Sequence, residues 1–132
     1  MNSDKLAIVQ AVESRQEKFW RMSDAIWSYA ELGLEEYRSA KLLADGMEAA
    51  GFKVERGVAG MPTAFVATWS QGSGKPVIGF LGEYDALPML SQKAGVPKKD
   101  PLVPGAPGHG CSHNTMFVTQ ALTAVTLKEF ME

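Results

Sequence analysis

At 132 residues the chain is long enough for one domain with a real core and too short for two. With 45% hydrophobic and 21% charged residues it has an ordinary globular composition, and a net charge of -2 offers no basic face to nucleic acid. A single cysteine cannot close an internal disulfide, no apolar run approaches the ~20 residues of a bilayer span, and the N-terminus lacks a signal-peptide core, so the expected setting is the reducing cytoplasm without a membrane.

Ser3 and Asp4 can cap a first helix whose apolar positions, from Leu6 through Val9, Val12, Phe19, Met22 and Ile26, keep a three-to-four spacing up to Leu32. Gly33 is expected to end it. A second helix is expected with Ser39 as its cap, Leu42, Leu43, Met47 and Ala50 turned inward, and Gly51 as its stop. The runs 52–58 and 63–70 alternate and are joined by Gly57, Gly60 and Pro62, which predicts a hairpin.

The run Val77 to Tyr84 is almost continuously apolar, the pattern of a strand buried on both faces, and it leads into Glu83 and Asp85. In open α/β sheets functional residues gather beyond the carboxyl ends of strands, and alternation puts these two acids on one side with Tyr84 opposite. Acids at a strand exit also cap turns or stay solvated, so the pair alone does not decide between site and surface. A long connection from Ala86 to Gly110 follows, with five of the seven prolines; its lysines Lys93, Lys98 and Lys99 suit a solvated tip. The last helix, Thr115 to Met131, is apolar on most faces and so belongs in an interior, yet few strands are present to cover it.

The stretch Gly-Ala-Pro-Gly-His-Gly-Cys-Ser-His-Asn, 105–114, holds the only cysteine and both histidines. A thiolate at Cys111 and an imidazole at His113 in a bent loop can face one divalent ion, and Gly108 and Gly110 permit the bend. Ser112 or Asn114 can cap the following helix, whose N-terminus would favour the thiolate. The residues equally allow Cys111 to be a small core residue, because Cys-x-His is a short pattern. A Cys–His thiol hydrolase is disfavoured, since a nucleophile and base two residues apart rarely form the needed hydrogen bond.

Three stretches, Ile26-Trp-Ser-Tyr-Ala-Glu-Leu-Gly-Leu-Glu-Glu-Tyr, Gly79-Phe-Leu-Gly-Glu-Tyr-Asp-Ala-Leu-Pro and Gly108-His-Gly-Cys-Ser-His-Asn, occur in this order. With them the chain resembles the metal-dependent amidohydrolases of the M20 peptidase family, in the branch acting on aminobenzoyl-glutamate and aminoacyl-amino acid amides. The resemblance covers essentially residues 1–132 and implies an α/β fold in the order α-α-β-β-β-α, the N-terminal part of a three-layer catalytic domain with a small mixed sheet and no lid domain.

The resemblance further implies that Cys111 and His113 are metal ligands and that Asp85 matches the catalytic acid that orients a histidine ligand in more distant relatives. Glu83 and His109 are implied to stand around the ligands rather than on the ion. The implied cofactor is a divalent metal, zinc or manganese, as one or two ions in a complete site. Ser112 stands where the family usually carries glycine, which is tolerable if its φ is negative.

Similar enzymes continue after the last helix with a Glu-Glu pair, further histidines and a lid domain used for dimerisation. A catalytic zinc usually takes three protein ligands and a base that reaches its water, and this chain offers two ligands and no base. The expectation is therefore part of an amidohydrolase, inactive by itself, acting on a small-molecule amide with a complementing chain or as a homo-oligomer. The alternative is a non-catalytic remnant that serves as a binding or assembly module.

Overall fold

The computed structural model describes residues 2–132, in the order α1 (Ser3–Glu13), α2 (Gln16–Tyr29), α3 (Tyr37–Ala49), β1 (Lys53–Arg56), β2 (Phe65–Thr68) and α4 (His113–Met131), with a short 3-10 turn at Val58–Gly60. The order is thus α-α-α-β-β-α. It is compatible with a mixed α/β class, but the expected third strand and mixed sheet are not formed among the described residues. No helix in them is long and apolar enough to cross a membrane.

The single long N-terminal helix expected from periodicity is two helices. The chain breaks at Ser14, whose N–H returns to Gln10 O, and Arg15 sits at φ -112 before α2 begins. The apolar spacing survives the break because α2 restarts it: Phe19, Met22, Ser23 and Ile26 form one buried face, whereas α1 buries none of its residues. The cap of α1 is Asn2, accepting from Lys5 N at 3.0 Å, rather than Ser3 or Asp4. At the far end Ala30 in the left-handed region closes α2, ahead of the expected Gly33.

Helix α3 starts at Tyr37, so Ser39 lies inside its first turn instead of capping it. Its stop follows the sequence reading. Gly51 at φ +84 lets its own N–H reach Glu48 O and that of Phe52 reach Met47 O, the paired bonds of a Schellman motif, while Phe52 packs against the Met47 cluster.

The hairpin forms as expected, with β1 and β2 antiparallel and Lys53 opposite Thr68, Val54 opposite Ala67 and Arg56 opposite Phe65. The core is made by α2, α3 and α4: Phe19, Met22 and Ile26 meet Leu43 and Met47, and Val118, Ala121 and Val125 complete it. Ile26 and Leu43 are wholly enclosed, positions where truncation to alanine costs about 2–5 kcal/mol.

Helix α4 does not sit in an interior. Val118, Ala121, Val125 and Thr126 are buried, while Met116, Phe130 and Met131 remain exposed. Residues 77–84 likewise form no strand: the run joins no ladder, and the two-stranded hairpin is the one sheet among the described residues.

Candidate metal centre

The site is positioned by fasteners on either side of Asp85. Tyr84, immediately before it, packs its ring against Phe65 and Phe117, which also touch each other, with centroids 6.2 and 5.7 Å away and the Phe117 contact edge-on. Its hydroxyl donates to Thr63 O, and Thr63 Oγ1 in turn donates to the buried carboxylate of Glu36 at 2.7 Å. Burial, and secondarily the Glu36 charge, push the Tyr84 phenol up to about 12. On the other side Ala86 is buried and donates its N–H to Glu31 O at 2.7 Å, within a parallel bridge between Leu32 and Ala86. Leu87 and Gly108 then exchange backbone hydrogen bonds of 3.0 Å, drawing the histidine loop alongside.

Two glutamates of the stretch from Ile26 to Tyr37 thus hold the scaffold. Glu36 anchors the Thr63 corner. The Glu31 carboxylate accepts from Arg38 N at 2.9 Å, Ser39 N at 2.8 Å and Ser39 Oγ at 2.7 Å, satisfying free N–H groups at the start of α3. Neither role was read from the sequence; an acid preceding a helix start by several residues was the available signal.

Glycine permits the close approach of the loops. A Cβ on Gly108 would fall 2.1 Å from Leu90 O, so no side chain fits there.

Across this frame His113, the first residue of α4, places Nδ1 2.7 Å from Asp85 Oδ1 and Nε2 3.1 Å from Glu83 Oε2. Potential ligand atoms of Glu83, Asp85 and His113 all lie within 4.8 Å of one another. The side chains are graded in depth: His113 is 11% exposed, Asp85 26% and Glu83 62%, so the cluster opens to solvent on the Glu83 side. An Nδ1–H donated to Asp85 leaves the Nε2 lone pair aimed at Glu83, and a cation reconciles that lone pair with the carboxylate. A ring nitrogen and carboxylate oxygens, with a free thiol two residues from His113, form a donor set that fits a divalent transition ion.

Cys111 is exposed in the loop, outside the cluster of three. His109 lies apart from it too. Its Nε2–H donates to Ile26 O at 3.0 Å, its Nδ1 is buried without a partner, and burial is the main cause that lowers its pKa. Asn114 does not cap α4; its amide donates to Ser23 Oγ at 3.1 Å and ties the start of α4 to α2. Ser112 is the N-cap residue but makes no side-chain cap bond, and its φ is +60, so the condition under which a Cβ is easily tolerated there is not met. The loop must reverse there to present His113, and the backbone takes the left-handed conformation despite the Cβ. Beside the loop runs a groove of about 640 Å³, whose lining includes Trp27, Tyr29, Leu90, Pro107 and His109.

No family model matches the chain. Individual proteins do. It is 42% identical over 125 residues to a p-aminobenzoyl-glutamate hydrolase subunit of Escherichia coli, a match covering 95% of this chain and 26% of that protein. It is 31% identical to the Xaa-Arg dipeptidase of Mus musculus and 29% identical to that of Homo sapiens, in each case over 97% of this chain and 28% of the relative. The chain therefore spans about a quarter of the length of these relatives. By these likenesses, extending over nearly all of its residues, the chain belongs to the M20 amidohydrolase family, in the branch of p-aminobenzoyl-glutamate hydrolase.

Proposed function

We propose that this chain carries one side of the metal centre of an amidohydrolase that cleaves an N-acyl amino acid or aminobenzoyl-glutamate type amide, and that it is inactive by itself. The observation that carries the reading is the His113 ring held between Asp85 and Glu83, at 2.7 and 3.1 Å, in a chain 42% identical to an aminobenzoyl-glutamate hydrolase subunit. His113 Nε2 and the Cys111 thiolate would hold zinc or manganese, with Glu83 at its open side. The bound ion, when present, supplies Lewis acidity to polarise an amide carbonyl and activate water.

The chain's own residues do the positioning. Asp85 accepts from His113 Nδ1 and so fixes which ring nitrogen faces outward. Glu83, the most exposed of the three, sits where water and substrate enter. The groove of about 640 Å³ on the Ala106–Gly110 side of the loop is of a size that takes a small amide, with Trp27 and Tyr29 for an aromatic acyl group. A general base and further ligands would come from polypeptide beyond the matched quarter, in the same chain or a complementing one; the relative's name as a subunit is consistent with such a chain.

The test is hydrolysis of p-aminobenzoyl-glutamate by the purified 132-residue chain loaded with zinc or manganese, beside the metal alone. The expected result is no release of p-aminobenzoate above the metal control. Robust metal-dependent release that disappears in His113→Ala would show that the chain is a complete catalyst and overturn the proposal of a partial site.

A further inference from the structure

The Asp85 side chain has little of its own to hold it in place. It is 26% exposed, and its hydrogen bond, Oδ1 to His113 Nδ1 at 2.7 Å, is to the very ring it has to aim. Where the carboxylate stands is therefore decided by its two chain neighbours, and both are gripped by one turn. Residues 31–36 reverse between α2 and α3, with Glu35 N bonded to Leu32 O and Leu34 in the left-handed region at φ +68. The turn passes directly beside the acid: a Cβ on Gly33 would stand 3.9 Å from Asp85 Oδ2 and 4.0 Å from Glu36 Oε1. At its first residue Glu31 O takes the N–H of Ala86. At its last, the Glu36 carboxylate reaches Tyr84 through Thr63.

This second grip is made of buried polar groups, Glu36 and Thr63 being 8% and 4% exposed. A hydroxyl has one proton, and Thr63 Oγ1 gives it to Glu36 Oε2 at 2.7 Å, a charge-assisted bond stronger than a neutral one. The bond fixes the Thr63 peptide, whose carbonyl receives the Tyr84 hydroxyl at the end of a ring packed on Phe65 and Phe117. A buried carboxylate deprived of its donor costs more than the bond itself, so the three groups keep one arrangement together. We propose that Glu36 and Thr63 are positioning residues of the metal centre: they make no hydrogen bond to His113, and through Tyr84 they set where Asp85 meets its ring. This role presupposes His113 as a metal ligand, yet its first consequence, a proton kept on Nδ1 against Asp85, belongs to the metal-free chain.

The test is proton and nitrogen-15 NMR of the His113 ring in the metal-free chain, beside zinc affinity by calorimetry. The parent is expected to show the Nδ1–H tautomer with a slowly exchanging ring proton. Thr63→Val keeps the shape and removes the hydroxyl; it loses that signal and binds zinc on the order of tenfold more weakly. Thr63→Ser keeps the hydroxyl and retains both readouts. Tyr84→Phe breaks the next link, acts as Thr63→Val does, and decides the matter if the valine variant does not fold. Val125→Ala, a core truncation about three turns along α4 from His113, lowers the thermal midpoint and leaves both readouts as in the parent.

A parent without the Nδ1–H tautomer overturns the proposal, and so does an unchanged signal in Thr63→Val. A loss that Thr63→Ser shares, that Val125→Ala shares, or that leaves zinc affinity at the parent's value overturns it as well. A ring signal that depends on the Thr63 hydroxyl in a chain that binds no zinc would sustain the positioning of His113 and remove the metal reading instead.

Discussion

Asp85 Oδ1 and His113 Nδ1 are 2.7 Å apart although 28 residues separate them in sequence. The contact joins the end of the apolar run 77–84 to the first residue of α4, and its neighbours on both sides are held in place. Tyr84 and Ala86 fix the acid from both sides, and the Asn114–Ser23 hydrogen bond fixes the helix start. An imidazole whose second nitrogen is held by a carboxylate is a better and better-aimed ligand than a free one.

Asp85→Asn tests that coupling. The amide keeps the shape but removes the charge that orients the ring, so zinc affinity measured by calorimetry is expected to fall about 10–100-fold with the fold unchanged. Equal affinity in the variant would mean that Asp85 does not orient His113.

Glu31→Gln probes the scaffold behind the site. Its carboxylate accepts three hydrogen bonds at the start of α3. Charge-assisted bonds of this kind are worth more than neutral ones, so the variant should lose about 1–3 kcal/mol in chemical denaturation. A midpoint within error of the parent would show that the helix start is satisfied by other means.

Ser112 is strained at φ +60 and obtains no cap hydrogen bond in return. Ser112→Gly should therefore stabilise the protein by about 0.5–1 kcal/mol, seen as a higher thermal midpoint. A lower midpoint would indicate that the serine side chain contributes something other than strain.

Tyr84 should ionise near pH 12, well above its ordinary value of 10.0, in an ultraviolet absorbance titration. Since the folded value is the higher one, its contribution to stability is complete below pH 10 and is lost as pH rises through about 12. Tyr84→Phe should remove one of the three tyrosine titrations, the latest. If all tyrosines ionise together near their ordinary value, the ring is not enclosed as described.

The elements that could be read in the sequence were those with local causes. The hairpin showed through its alternation and turn residues, and the end of α3 through Gly51, because neighbours in sequence decide both. The break at Ser14–Arg15 was hidden because the apolar spacing runs on across it, and Ala30 ends α2 where no glycine announces a stop. The run 77–84 read as a buried strand on composition, but pairing depends on a partner edge, which is not a property of the run itself. For the site, residue types suggested Cys111 and His113 and left Glu83 and Asp85 open between site and surface; only the resemblance drew the two acids in, and the fold places Glu83, Asp85 and His113 together. The same signals did not reveal that Cys111 would stand exposed beside the cluster, since the direction of a loop side chain is set by backbone angles such as that of Ser112.

The most direct measurement is metal stoichiometry and affinity by elemental analysis and calorimetry on the purified chain, beside His113→Ala and Cys111→Ser. The account predicts that the parent binds a divalent ion, that His113→Ala abolishes binding while leaving the circular dichroism spectrum unchanged, and that Cys111→Ser weakens it. Unchanged metal occupancy in His113→Ala would contradict the claim that the ring between Asp85 and Glu83 is a metal ligand.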